Sequence, residues 1–442
     1  MSVLHAYHTR IPLRLVKGKP FVTVSAKGIS NGLSDTYNDG ADFGPDTMLG
    51  ATAPDQYGPP YTQTTGIQEA LNYAAQINAP VELGPGTFYV STAILLPNMS
   101  GLVLRGASKY LTTITQTSGY KDRILQGANT SAANQYYYIG HFAVNAPNGD
   151  NFFWAIDLIQ NETGAYGILE SIYVVHAAPN GLRLDGNDGT ILIDFETFTK
   201  NNLGFDLSWS IPNGSGLMVG GYLKDGASIA AREFTFVGTN IDKFNPLTLQ
   251  PISGQNAIYN LFGVRWVNPA PISVPYISNT TNTVYLNFIG CLINSSGAAL
   301  PNPLFNNPNS SSGSVSIYAK FINSLLQSSS AASLFGSGIV GYAEFDDLTQ
   351  PLTNINVNNA AVSTPAVPSS GTAQTNTNPF PVLVFLSGGS ATEVQVTKYG
   401  TTYTVWSSSS ATAIPFMSVR LNPGDSITIT YSSAPTWVWT PA

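Results

Sequence analysis

The stretch Val81–Gly106, VELGPGTFYVSTAILLPNMSGLVLRG, places two short apolar runs around a Pro-Gly and a Pro-Asn turn. Each run is about one strand long, and the prolines and glycines between them punctuate the chain too sharply for a helix. Such a segment begins either an ordinary sheet or the first coil of a chain that keeps turning the same way.

The residues that follow choose between these. From Val81 to about Asn359, strand-like runs alternate with turns and no helical period appears. The runs YYIGHFAVNA, GILESIYVVHA, TILIDFETFTKN, AAREFTFVGTN, NLFGVRWVNPA, VYLNFIGCLIN, SIYAKFINSLL and VGYAEFDDL align on Phe142, Ile172, Phe195, Phe234, Val264, Phe288, Phe321 and Phe345. A base spacing of roughly 23–24 residues, lengthened by insertions, is that of a β-solenoid whose inward position repeats once per coil. A sandwich would show shorter, more even spacing and Asn-Gly hairpins.

Upstream, TTGIQEALNYAAQINAP (Thr64–Pro80) reads as the one amphipathic helix. Thr65 and Gln68 suggest a capping box, Ile67, Ala70, Leu71 and Ala74 share a face, and Asn78 and Pro80 stop it. It is suited to cover the open end of the solenoid. Residues 1–62 form an irregular head, with strands expected at Ile11–Val16 and Phe21–Ser25. Its Asp39, Asp42 and Asp46 lack the spacing of a calcium loop and read as turn formers. Arg10, Arg14, Lys17, Lys19 and Lys27 precede the first acid, Asp35, and form a basic arm able to dock on a virion or surface partner. Residues 361–380 read as a Pro/Ser/Thr linker. Residues 381–442 alternate apolar and polar positions between tight turns, as a small antiparallel β-sandwich does.

Composition narrows the function. Only 10% of the 442 residues are charged while 43% are hydrophobic and 11% aromatic, which describes a folded, β-rich chain with a neutral hydroxyl- and amide-covered surface. A net charge of −7 gives nucleic acid no electrostatic attraction. Cys291 is alone and reads as a buried small hydrophobe, so no disulfide is expected within the chain. No signal peptide and no membrane-crossing run stands out, and nothing calls for a cofactor or a metal. Seven N-glycosylation sequons, at Asn98, Asn129, Asn161, Asn213, Asn279, Asn294 and Asn309, are about what so much Asn, Ser and Thr produces by chance.

With these elements placed, residues 64 to about 114 resemble the N-terminal signature of the pectate-lyase-like right-handed β-helix superfamily, frequent in viral tailspikes and polysaccharide enzymes. Ile67, Gln68 and Ala70 match its capping helix, Pro85, Gly86, Thr87 and Tyr89 approximate its first turn, and Leu104, Arg105 and Gly106 match its rung. The resemblance implies an all-β right-handed parallel β-helix over residues 63–360, with the C-terminal sandwich capping, trimerising or contacting a receptor. It also implies a homotrimeric, surface-exposed spike that binds host glycans, on a virion or outside the cell. A polysaccharide hydrolase or lyase and a purely structural filament or coat subunit are the alternatives.

The catalytic sets of the family's enzymes are missing. There is no Gly-His-Gly, no Arg-x-Lys and no aspartate triplet; His5, His8, His141 and His176 are scattered, and Asp346 and Asp347 stand without a nearby His or Arg. The densest charge lies in GLRLDGNDGTILIDFETFTKNN (Gly181–Asn202). If Ile191, Ile193 and Phe195 point inward, Asp194 and Glu196 point outward together, roughly 6.5–7 Å apart, within the range of an inverting glycosidase. Arg183, Asp185 and Asp188 would lie about half a coil earlier, with Glu170 and His176 on the coil before. Asp194, Glu196, Asp185 and Arg183 are therefore the catalytic candidates, against the alternative of a solvated face in which acids pair with Arg183 and Lys200. For sugar stacking the candidates are Trp154, Trp209, Tyr137 and Trp266, with Tyr136 and the tip residues Trp437 and Trp439 behind them.

Overall fold

The computed structural model describes residues 21–27, 41–54, 56–127, 136–148, 154–159, 166–177, 180–185, 189–199, 206–224, 226–242, 247–250, 255–267, 270–277, 283–294, 299–346, 348–349, 355–357, 362–378 and 380–441. The expected strand at Ile11–Val16 and the basic residues Arg10, Arg14, Lys17 and Lys19 lie outside them, as do Asp39, Asp188, Lys200 and Asp347.

Three parallel sheets enclose one core. The first stacks Val22–Val24, Val81–Leu83, Leu102–Gly106, the first halves of Tyr136–Asn145 and Tyr166–Ala177, and Ile191–Ile193. It continues through the second halves of Leu207–Val219 and Ala227–Val237 to Ala257–Phe262, Thr283–Ile289, Val315–Ile322 and Ile339–Phe345. The second sheet runs from Gly86–Val90 and Thr112–Gln116 through Glu196–Thr199 and Tyr222–Leu223 to Leu325–Leu326. The third runs from Ile94–Leu95 through Trp154–Ile159 and Asn180–Asp185 to Phe305–Asn306. Every coil visits the sheets in the same order, and strands pair only with the coils below and above. This is a right-handed parallel β-helix, the hand that parallel crossovers adopt.

The interior is filled by like stacked on like. Phe288 lies 4.7 Å from Phe321, and Phe321 lies 5.0 Å from Phe345, each pair at 7°. These three share an inward column with Met218, Phe236 and Leu261. Phe142, Ile172, Phe195 and Val264 belong instead to the corner where the first sheet meets the second, and Phe234 to a third column with Tyr259. The sequence alignment thus mixed columns and missed a coil. Between Phe195 and Phe234 the chain makes an extra turn through Met218 and Gly220–Gly221, where no aromatic marks the rung.

That corner has a repeating backbone. His141, Ser171, Asp194, Gly220, Gly238, Gly263, Gly290 and Asn323 all have left-handed φ, between 46° and 67°. The left-handed residue turns the strand from one sheet into the next within about one residue, which is why Gly, Asn and Asp recur there. At the coil of Leu102–Gly106 the corner is expanded instead into a strap, Ala107–Leu111, before Thr112–Gln116.

The helix α1, Ile67–Ile77, covers the first coils with Ile67, Ala70, Leu71 and Ala74 buried. Its capping box does not form. Gly66 is the N-cap residue, Thr64 Oγ1 accepts from Gln68 N–H at 3.0 Å, and the Gln68 side chain reaches the Leu95 backbone. Asp42 accepts from Thr23 N–H and Oγ1–H on the strand Val22–Val24, a long-range tie between the head and the first sheet rather than the local turn expected of it, and Cys291 is buried.

At the C-terminus one antiparallel sheet folds over on itself. Val382–Lys398 pairs with Thr436–Pro441 along its first half and Ser426–Ser433 along its second, while Thr401–Leu421 follows it throughout. The bend falls at Gly388 and Gly389, both left-handed, where the register shifts. Trp437 and Trp439 are buried in the core this closes, so they are not exposed tip residues. The segment read as a linker is bound to this module: Trp437 Nε1–H donates to Pro365 O at 2.7 Å, Tyr431 O–H to Pro368 O at 2.6 Å, and Ala373–Thr375 pairs as a strand. The module also rests on the solenoid, where Tyr342 stacks on Phe380 at 4.8 Å.

Candidate functional site

The strap carries Lys109 up the left-handed corner, past His141 and Ser171, to the coil of Asp194. Its Nζ donates to Asp194 Oδ2 at 2.7 Å and to Glu196 Oε1 at 3.0 Å. Ser171 Oγ–H donates to the same Asp194 oxygen at 2.9 Å. The two carboxylates do converge outward, but not as neighbours along one strand. Leu192, not Ile193, fills the inward column and Ile193 faces outward, Asp194 turns the corner with φ 51°, and Glu196 opens the next sheet. Bonded to one ammonium at 2.7 and 3.0 Å, the two oxygens lie closer together than the inverting spacing requires.

Lys109 has a side chain only 8% exposed. Burial lowers its pKa, yet the hydrogen bonds to Asp194 and Glu196 outweigh that and hold it above its ordinary 10.5. A folded-state value above the unfolded one means that this contribution to stability is complete below pH 10.5 and is lost as pH rises through the raised value. Urea unfolding at about pH 9 and about pH 11 is expected to show an alkaline loss of stability that is smaller in Lys109→Met. An equal loss in both proteins would place the alkaline sensitivity elsewhere.

Aromatic rings border the carboxylates on the second sheet. Tyr173 and Tyr222 stand on the coils below and above Glu196 in the same outward column. Phe198 bridges them, 5.5 Å from Tyr173 edge-on and 5.0 Å from Tyr222 in a stack. Tyr222 O–H donates to Asp242 Oδ2 at 2.9 Å. On the strap, Tyr110 is 74% exposed with Lys109 Nζ 5.4 Å from its ring centre. Half-buried rings beside carboxylates and an ammonium can stack on a sugar ring while bonding its hydroxyls.

The other expected site residues lie elsewhere. Arg183 and Asp185 are two apart on the third sheet, where they pair with each other at 2.6 Å, and Arg183 also neighbours Asp157. They do not join Asp194 and Glu196. Trp209 and Trp266 are each 1% exposed inside the coils, and Tyr137 is buried with its hydroxyl 3.2 Å from Thr190 Oγ1. Inward positions accept these large rings because the core needs volume at every rung, so these three are packing residues. Trp154 is half-buried on the third sheet. Asp346 accepts from Asn323 N–H and Thr349 O–H, as a turn cap. Lys109 and the rings of Tyr110, Tyr173, Phe198 and Tyr222 had no sequence signal, since they meet only through coil stacking.

A second polar set occupies the first-sheet side of the corner. Tyr138 lies 2.8 Å from Glu170 Oε2 and 2.7 Å from His141 Nε2, and Arg105 is paired with Glu82. His141 lies within the strand Tyr136–Asn145 and is one of the left-handed corner residues. A groove of about 560 Å³ runs beside this set, lined by Thr23, Glu82, Arg105, Gly106, Ala107 and His141. Among the described residues no cluster suited to a metal ion appears, and no helix is long and apolar enough to cross a membrane.

The geometry can be set beside known proteins. No protein-family model matches the sequence, and no curated protein matches it. Solved structures do match. The tailspike protein gp49 of Acinetobacter baumannii bacteriophage Fri1, a capsular polysaccharide depolymerase, aligns over 85% of this chain and 84% of its own at 12% identity, with a TM-score of 0.33. The enzymatically active domain of bacteriophage CBA120 tailspike protein 4 aligns over 100% of this chain and 80% of its own at 11% identity, with a TM-score of 0.24.

Proposed function

We propose that this protein is a surface-exposed, spike-like glycan-binding protein, and that the Lys109 strap marks its sugar site. The observation that carries this reading is the run Tyr173, Phe198 and Tyr222 stacked beside Asp194, Glu196 and Lys109 on one outer face. Rings supply stacking area, and the fixed charges supply directional acceptors and donors for hydroxyls. Placement on a virion or outside a cell suits the neutral surface and the rod-like architecture.

Self-association into a homotrimer is part of the same reading. One outward column of the first sheet is apolar for six successive coils, through Ile193, Val219, Val237, Phe262, Ile289 and Ile322, with Phe262 38% exposed. A stripe of this kind suits burial against other copies. A light-scattering mass equal to one 46.9 kDa chain would count against it.

The binding site is tested by a glycan array run with the wild type, Tyr222→Ala and Asp194→Ala/Glu196→Ala. Each variant is expected to weaken binding to the recognised glycan by about tenfold or more, as loss of a stacking ring or hydrogen-bonding group does. Unchanged binding in all would move the site off this face. The spacing of Asp194 and Glu196 favours one second reading, a polysaccharide depolymerase, and release of reducing ends that disappears in the double variant is its signature.

A further inference from the structure

Lys109 does not use up the carboxylates it joins. Its Nζ bonds Asp194 Oδ2 and Glu196 Oε1, and Ser171 Oγ–H donates to the same Asp194 oxygen. Asp194 Oδ1 and Glu196 Oε2 have no partner among the described residues. The Lys109 side chain is sealed in at 8% exposed, while those of Asp194 and Glu196 are 43% and 26% exposed. One buried cation thus holds two carboxylates together on its inner side, and one negative charge is left uncompensated. The strap that brings it is closed on itself. Ser108 O accepts from Leu111 N–H and Thr112 N–H, and Thr112 O–H donates to Gly84 O at 2.9 Å. Rings wall the opening: Glu196 is the outward residue between Tyr173 and Tyr222, and Tyr110 stands exposed on the strap. Burial first, then Glu196 and Tyr110, push the Tyr173 phenol above its ordinary 10.0, as befits a ring that shares one opening with both.

Such an opening sorts sugars by charge. The carboxylate of a uronate meets the uncompensated negative charge and is repelled. A neutral hydroxyl can donate to Asp194 or Glu196, but a protonated amine makes charge-assisted bonds to the same oxygens and is also drawn to ring faces. An N-acetylated amine keeps one N–H and loses the charge. We propose that this face recognises a polysaccharide carrying free, protonated amino groups, with the ligand's ammonium on Asp194 Oδ1 and Glu196 Oε2 and its sugar rings on Tyr173, Phe198 and Tyr222. Those three rings form a continuous row over successive coils. The row spans about 10 Å, more apolar length than an amine alone would cover. Lys109 acts as a positioning residue, holding side by side two carboxylates that would otherwise repel each other. The inference rests on the glycan-binding reading above and names the charge class of its ligand.

The test is calorimetry on the full chain with chitosan and polygalactosamine, the fully N-acetylated form of each, polygalacturonate and spermidine. At least one free-amine polymer is expected to bind about tenfold or more tighter than its N-acetylated form, the difference between a charged and a neutral hydrogen bond. Asp194→Asn, which suits the left-handed corner at φ 51°, and Glu196→Gln should each erase most of that preference. Tyr222→Ala should weaken both forms alike. If a charge variant does not fold, the wild-type comparison of free and acetylated polymers decides alone. Binding to neither free-amine polymer, equal affinity for the two forms, a preference that survives both charge variants, or polygalacturonate bound as tightly would each overturn the proposal. Spermidine that displaces the polymer at equal amine concentration would show an amine site without a sugar, and would overturn it too. Equal binding of both forms that is lost in Tyr222→Ala sinks the amine inference and leaves the glycan reading standing. A glycan array with no hit removes both.

Discussion

Trp209→Ala is expected to cost about 3–5 kcal/mol of stability, the range for emptying a large ring from a packed interior. Trp209 is 1% exposed and meets Phe234 edge to face at 4.9 Å. Its coil can collapse little around the void, because strands are held to the coils below and above by parallel hydrogen bonds. Long repeat proteins unfold irreversibly in many cases, so the measurement is the shift of the thermal or urea midpoint against the wild type at one scan rate. Trp209→Phe should recover most of the loss. A variant with unchanged midpoint and lost glycan binding would return Trp209 to the ligand.

Gly221→Ala is expected to be nearly as damaging, although it adds one methyl group. Gly221 has φ 82°, and a Cβ there would lie 2.2 Å from Phe195 O on the coil below. Backbone oxygen cannot swing aside as a side chain can, so the coils must separate at the corner. A loss of about 3 kcal/mol or more is expected, from clash and strain together. Its neighbour supplies the control. Gly220 has φ 67° but open space around its Cβ position, so Gly220→Ala should cost only the left-handed preference, about 1–2 kcal/mol. Equal midpoints for the two variants would show that close approach between coils is not what holds position 221 to glycine.

The architecture was legible because a solenoid writes itself into local pattern. Ile67, Ala70, Leu71 and Ala74 announce a one-sided helix, and Phe288, Phe321 and Phe345 recur because each fills the same inward slot. The coil through Met218 and Gly221 was not legible, since its slot is filled without an aromatic. The site was half legible. Alternation placed Asp194 and Glu196 outside, as they are, but strand period alone carries no sign of the left-handed turn at Asp194. Lys109 lies 85 positions from Asp194 and reaches it only because the intervening coils stack. Large rings were misassigned for a related reason: Trp209 and Trp266 sit at inward positions, whereas the sugar-facing candidates Tyr173 and Tyr222 are outward, and residue type does not state parity.

The left-handed corner has a consequence for ligand recognition that follows from its constancy. Wherever this edge is a single turning residue, the chain's variation in length is confined to the other two edges of the prism. Successive coils therefore present the same backbone about every 4.8 Å along this line. From His141 through Ser171 to Asp194 the line bears polar side chains, and from Gly220 through Gly290 it bears none. A linear polymer laid along it would meet a graduated rail, chemically marked over one stretch and blank over the next. Such a rail can hold a chain in register at one end while letting the remainder slide.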